Sequence, residues 1–337
     1  MDKNHPSQPT PGATRSENEN WAILGHSWAV QMLQEHLRSG QARHAYLITG
    51  PEGVGRRSLA LRFIQAMNCP ESAGSGQPCL KADCRSCRQI DAMQHTDLKV
   101  ITPPEGKTQI SIDSVRELQA FLMLAPYESP FKVGLLIGFQ RATIQAQNAL
   151  LKILEEAPER ARLILTADSA ENLLPTIVSR CELIRLRPLA LGVVAEALQT
   201  RQNLNVEKSI LLDHLTGGRY GYAIRLVRDE SRLSRREEDI QDLVRVMNAS
   251  LRDQFQYVDQ HFPKRLELAV LRQRAKETVL NWQSLFRDVL LHSSGSASPL
   301  MNIDFANIVE SLSNNITPAD AELWISACDK ALRRIDG

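Results

Sequence analysis

The chain has 337 residues, long enough for two or three domains with their own cores. Lys and Arg total 40 against 39 Asp and Glu, a formal net charge of +1, so overall electrostatics single out neither nucleic acid nor a membrane surface as a partner. Aromatic residues make up only 5% while Leu, Ala, Arg, Glu and Gln are plentiful, which favours a helix-rich protein over an all-β one.

The first twenty residues, MDKNHPSQPTPGATRSENEN, mix Pro, Ser, Asn and Gly without an apolar run, and are expected to form a disordered tail, with no signal peptide. No stretch reaches the roughly 18 consecutive apolar residues of a spanning helix, so a cytoplasmic location without membrane attachment is expected. In that reducing compartment the six cysteines read as metal ligands or buried thiols, not disulfides.

From Trp21 to Pro188, short apolar runs alternate with helical segments, the pattern of an α/β domain built on a parallel sheet. The strand candidates are AYLIT (45–49), LKVIT (98–102), VGLLIGF (133–139) and RLILTA (162–167), each nearly continuous in apolar residues as a strand buried on both faces should be. Ser114 and Glu117 read as a capping box opening the helix SVRELQAFLML. Thr143 reads as the cap of a helix whose Ala146, Leu150, Ile153 and Leu154 share one face, and Pro158 marks its end.

GPEGVGRRS, 50–58, follows the first strand with the glycine spacing of a phosphate-binding loop. Such a loop wraps backbone N–H groups round phosphates, with a lysine on the outer phosphates and a hydroxyl on Mg²⁺. Gly50, Gly53 and Gly55 keep the cradle, but Arg56 stands at the lysine position and Arg57 at the hydroxyl position. A frame shifted by one, with Arg57 and Ser58 in those roles, puts Pro51 and Arg56 where glycines belong. Arginine attracts phosphate by charge but cannot coordinate a metal. The strand VGLLIGF carries Gly138 and Phe139 where a hydrolase of this kind needs acidic residues for Mg²⁺ and water. A Gly-rich structural turn and a vestigial, empty phosphate loop are both open readings, and neither hydrolyses ATP.

Cys69, Cys79, Cys84 and Cys87 give C-x₉-C-x₄-C-x₂-C. Four thiolates suit tetrahedral Zn²⁺, and a closed set of four leaves no position for catalysis, so the expected role is structural. Reduced thiols without metal are the alternative. Cys181 and Cys328, isolated in the chain, read as packing residues.

After Pro188 the strand-like runs stop and the chain reads as helix, broken at TGGRYG (216–221) and SSGSASP (293–299). Val279, Trp282, Leu285, Phe286, Val289 and Leu290 form one helical stripe, either internal core or a subunit interface.

Taken together, RHAYLITGPEGVG, the four-cysteine insert, DLKVI followed by ISIDSVREL, QNALLKILEEAP, LLPTIVSRC and GGRYGYAIRL resemble the delta-prime subunits of bacterial DNA polymerase III clamp loaders, within the AAA+ superfamily. The likeness covers about Trp21 to Arg228 and continues faintly through LFRDVLL and MNID. It implies an AAA+ domain over 21–188 with a zinc module at 69–87, a helical lid over 189–235 and a helical C-terminal collar, the oligomerisation domain, over 236–337. In that family the Arg of the SRC motif, here Arg180 between Ser179 and Cys181, reaches into a neighbouring subunit's ATP site as an arginine finger. The family's zinc spacing is usually eight residues and then two where this chain has nine and four. Related motor subunits carry a nucleotide-sensing arginine in the lid, a place that falls here at Gly221, with Arg219 and Arg225 nearby. Thr166 takes the place of a polar phosphate sensor.

The resemblance implies a non-motor subunit of a hetero-oligomer with gamma/tau motor subunits and a delta subunit. That assembly loads the sliding clamp at primer–template DNA and belongs, at the level of the whole complex, to a DNA-directed DNA polymerase, a nucleotidyltransferase reaching the nucleoid through the replisome. An ATP-binding or active AAA+ motor subunit of the same machine is the alternative. A zinc-dependent nucleic-acid module is a third reading, weakened by the lack of interleaved aromatic and basic residues near the cysteines.

Overall fold

The computed structural model describes residues 21–79, 83–103, 109–263 and 267–336; the tail expected over 1–20 lies outside them. The chain divides between Pro188 and Leu189 into two compact units.

In the first unit the order is α1 (Ser27–Arg38), β1 (Ala45–Thr49), α2 (Arg56–Asn68), α3 (Arg85–Asp91), β2 (Leu98–Ile101), α4 (Ile112–Leu122), β3 (Lys132–Leu136), α5 (Ile144–Glu155), β4 (Ala161–Ala167), α6 (Pro175–Val178) and β5 (Glu182–Arg185). Among the described residues the five strands form one sheet, ordered β2-β3-β4-β1-β5, and every pairing is parallel. Successive side chains of a strand point to opposite faces, so each strand feeds two cores. Tyr46, Ile48, Val133, Leu135, Ile164 and Ile184 pack with Val30 and Leu33 of α1 and Leu59 and Phe63 of α2. Ala45, Leu47, Leu136, Leu163 and Leu165 pack with Val115 and Leu118 of α4 and Leu150 and Ile153 of α5. The α/β reading of this half is borne out.

Three local expectations differ from the structure. β5 was not expected, because at the sheet's edge it pairs only with β1 and buries only Ile184 of its four residues, leaving no apolar run to read. β3 ends at Leu136, where the expected strand ran to 139; Gly138 turns left-handed and Phe139–Arg141 form a single 3₁₀ turn. The cap of α4 is Ser111, not Ser114: its hydroxyl accepts from the Ser114 N–H, and Ser114 sits one turn inside. Glu117, the expected partner in that box, pairs instead with Lys99 at 3.3 Å. The Thr143 cap, by contrast, is present on the Ala146 N–H.

The second unit contains α7 (Val193–Gln202), α8 (Val206–Thr216), α9 (Tyr220–Arg228), α10 (Ser231–Met247), α11 (Leu251–His261), α12 (Leu268–Ser293), α13 (Ala306–Ser313) and α14 (Pro318–Asp336). Val194, Leu198, Leu212, Ala223 and Leu226 form one apolar cluster. Ile240, Leu243, Leu285, Phe286, Val289, Val309, Ala321 and Cys328 form another. The stripe from Val279 to Leu290 lies in that second cluster as internal core. Buried Asp239 accepts from Arg274, Thr278 and Asn281 and ties α10 to α12.

One buried ion pair holds the sheet's β2–β3 edge. Asp97, fully buried, accepts from the N–H groups of Tyr127, Glu128 and Ser129 and from Lys132 Nζ at 3.2 Å. Burial alone would raise its pKa, but these four donors outweigh it and hold the carboxyl below the usual carboxylate range. Its stabilising contribution is therefore complete above the ordinary carboxylate pKa of about 3.9 and is lost as pH falls through the lowered folded value. Asp97→Asn is expected to cost about 3–5 kcal/mol in urea unfolding at pH 7, because it leaves the buried Lys132 ammonium unpaired. A loss within the scatter of surface substitutions, about 0.5 kcal/mol, contradicts the account of the pair.

Candidate functional site

The loop from Gly50 to Gly55 joins the C-terminal end of β1 to the N-terminus of α2 and keeps the shape of a phosphate cradle. Gly50, Gly53 and Gly55 all have positive φ. At Gly50 a Cβ would lie 2.5 Å from the Leu186 carbonyl oxygen, so only glycine fits beside the strand end. The loop is fastened by the Gly50 N–H to Asp168 O at 3.2 Å and by His26 Nε2 against Val54 O at 3.3 Å. Burial lowers the His26 pKa, against the Val54 hydrogen bond. Gly55 caps α2 with no side-chain acceptor, so the first-turn N–H groups keep their orphan character.

The side chains around this cradle carry charges of both signs. Arg56 opens α2 half-buried; burial disfavours its charge, Asp168 and Glu52 favour it, and Arg141 opposes it. Its Nη1 is buried without a hydrogen-bond partner among the described residues. Arg57 and Ser58 are exposed. Across the sheet, Gly138 offers no ligand and Phe139 is fully buried. The Arg141 guanidinium folds back on Gly138, 2.7 Å from where a Cβ would sit, so a cation occupies the neighbourhood where an acidic side chain would project. Thr166 Oγ1 accepts from the Gly138 N–H at 3.0 Å and so ties the end of β3 to β4. Arg141 and Asp168 were not singled out in the sequence, since only the fold brings them to the loop.

The four cysteines come together. Their sulfurs lie within 4.8 Å of one another and all four residues are buried. Cys69 Sγ and Cys84 Sγ are 3.8 Å apart, and a tetrahedral site with metal–sulfur bonds of about 2.3 Å requires edges of about 3.8 Å. Backbone N–H groups of Cys87 and Cys84 point at Cys84 Sγ and Cys79 Sγ, as thiolate ligands need. Burial opposes ionisation of Cys69, but hydrogen bonds from Ser72, Cys79 and Glu71 bring it to about 7, whereas burial and its sulfur neighbours push Cys87 up. Four such sulfurs can hold a metal ion, and Gln65 Nε2, donating to Cys87 O, braces the knuckle from α2. Cys181 is half-buried, its thiol pushed up to about 12 by burial, and Cys328 is buried in the second unit, both as packing residues.

Arg180 follows α6 and precedes β5. Its side chain is 37% exposed; Nη2 donates to Glu155 Oε1 at 2.7 Å and Nη1 to Thr176 O at 3.0 Å. Because all strands run one way, the loop after β1 and Arg180 before β5 sit at opposite ends of the sheet. The five residue steps from Cys181 to Leu186, which reaches Gly50, span roughly 16 Å of strand. The sequence brings out Arg180 but not its partner Glu155, although both lie in motifs that stand out. In the second unit, Arg219 and Arg225 stack over the Tyr222 ring at 5.1 and 5.3 Å, and Gly221 offers no charge.

Over residues 25–190 the chain matches the family model described as DNA polymerase III, delta subunit. A DNA polymerase III subunit delta-prime from Pseudomonas aeruginosa is 38% identical over 156 residues, 46% of this chain and 47% of the relative. The subunit delta-prime of Haemophilus influenzae is 36% identical over 147 residues, 44% of this chain and 43% of the relative. A subunit tau of Escherichia coli is 30% identical over 177 residues, 52% of this chain and 27% of the relative. The delta-prime resemblance read from the sequence is borne out over this stretch, and the chain spans about half the length of the delta-prime relatives it matches. Delta-prime and tau relatives both match about half of this chain, so the choice between a donor and a motor role rests on the residues of the loop.

Proposed function

We propose that this chain is a non-motor, delta-prime-type subunit of a bacterial DNA polymerase III clamp loader and donates Arg180 to the ATP site of a neighbouring gamma/tau subunit. The observation that carries the reading is the pairing of an exposed, always-charged arginine with a metal-incompetent loop at the other end of the same parallel sheet. Arg180 cannot serve this chain's own loop, and Arg56, Arg57 and Gly138 stand at the positions that need lysine, hydroxyl and carboxylate. ATP is turned over by the neighbours, and this chain has no catalysis of its own.

The remaining parts of the reading follow from that role. Residues 189–235 act as a lid and 236–337 as the collar that joins the ring with gamma/tau and delta. The exposed face of α11 formed by Leu251, Phe255 and Val258 supports an oligomerisation surface there. Sliding clamp and primer–template DNA are engaged through the complex, in the cytoplasm at the nucleoid; no described helix is long and apolar enough to cross a membrane. The four-cysteine ion is zinc, with a structural role. The alternative, an active motor subunit, draws on the tau match, and ATP turnover by the isolated chain decides for it.

In a reconstituted loader, Arg180→Ala is expected to lower DNA- and clamp-stimulated ATP turnover steeply with assembly intact, by as much as about 10³-fold at the site it completes. Unchanged turnover contradicts the donor role. For the metal, one zinc per chain is expected by atomic absorption, and chelation or Cys84→Ser is expected to lower the thermal midpoint. A metal-free chain of equal stability contradicts the zinc module.

A further inference from the structure

We infer that Glu155 is a positioning residue for Arg180; the inference rests on the donor role proposed above. Arg180 is a long side chain on the surface, and such a group ordinarily samples many rotamers. Here it is held at two points on two elements: Nη2 on Glu155 Oε1 at 2.7 Å, at the end of α5, and Nη1 on Thr176 O at 3.0 Å, in α6. Two fixed nitrogens set the plane of the guanidinium, while Nε–H and the second hydrogen of each terminal nitrogen remain for an anion.

Glu155 is a poor choice for any other purpose. It is the last residue of α5, where a negative charge meets the negative end of the helix dipole. Its side chain is 52% exposed, and exposed ion pairs add little to stability. Yet the helix carrying it is rigidly placed, with Leu150, Ile153 and Leu154 buried in the sheet's core, so its carboxylate is a fixed reference point. Ordering Arg180 before the neighbour's triphosphate arrives removes rotamer entropy from the docking step and aims the charge at the γ-phosphate. A carboxylate that keeps one nitrogen leaves the others to follow the charge developing on the phosphate.

The test uses the reconstituted loader carrying Glu155→Ala, Glu155→Gln, Arg180→Ala and the double variant Glu155→Ala/Arg180→Ala, each checked for assembly. Glu155→Ala is expected to lower kcat for stimulated ATP turnover by about tenfold with KM for ATP unchanged, the signature of misplacing a group that acts in the transition state. Glu155→Gln, which keeps an acceptor oxygen, is expected to restore most of the rate. In the Arg180→Ala background, Glu155→Ala is expected to cost nothing further. Wild-type turnover in Glu155→Ala, or the same fold-loss from Glu155→Ala with and without Arg180, overturns the positioning role. Full turnover in Arg180→Ala alone instead removes the donor reading itself, an outcome the single Arg180 variant distinguishes from the others.

Discussion

The common direction of the five strands governs how this chain can act. In a parallel sheet every strand's C-terminal end lies along one edge, and the loop at 50–55 leaves β1 there; Arg180 enters β5 from the other. The separation is built in by topology and no side-chain rotation closes it. Under the role proposed above, a group at the strand N-termini serves the next subunit of the assembly. The ion pair of Asp97 with Lys132 and the packing of α1, α2, α4 and α5 keep the sheet rigid enough for the placement to matter.

The shape of the loop does not depend on the side chains that phosphate chemistry would use. Its backbone is set by glycines at positive φ, by the approach of Leu186 and by fastenings to Asp168 and His26, none of which involves the residues that hold Mg²⁺ in a working site. The positions that would supply lysine, hydroxyl and carboxylate are occupied by Arg56, Arg57 and Gly138, and Arg141 lies against the last of these. None of Arg56, Arg57 and Gly138 offers a ligand for a divalent cation.

Much of this was legible from residues alone, and what was not has definite causes. β1, β3 and β4 announce themselves as nearly continuous apolar runs because both their faces are covered, whereas β5, an edge strand reading Glu-Leu-Ile-Arg, carries too little apolar signal. Ser114 read as the cap of α4, but the extended φ and ψ fall at Ser111, three residues earlier, which backbone geometry alone reveals. The cysteines were readable because spacing encodes proximity through a two-residue knuckle. Glu155 beside Arg180 and Arg141 over Gly138 were not, since the first pair is 25 residues apart and the second depends on a left-handed turn. Because tau as well as delta-prime subunits match this chain, the likeness alone leaves the role open.

The central claim is that Arg180 completes a site on another subunit. Its most direct test is a proximity measurement in the assembled loader. Arg180→Cys would be labelled with a short photo-crosslinker and the loader charged with a labelled non-hydrolysable ATP analogue. The account predicts crosslinking to the nucleotide, or to the loop cradling it, on the neighbouring gamma/tau subunit. Crosslinking confined to this chain, with the neighbour's site filled, would contradict it.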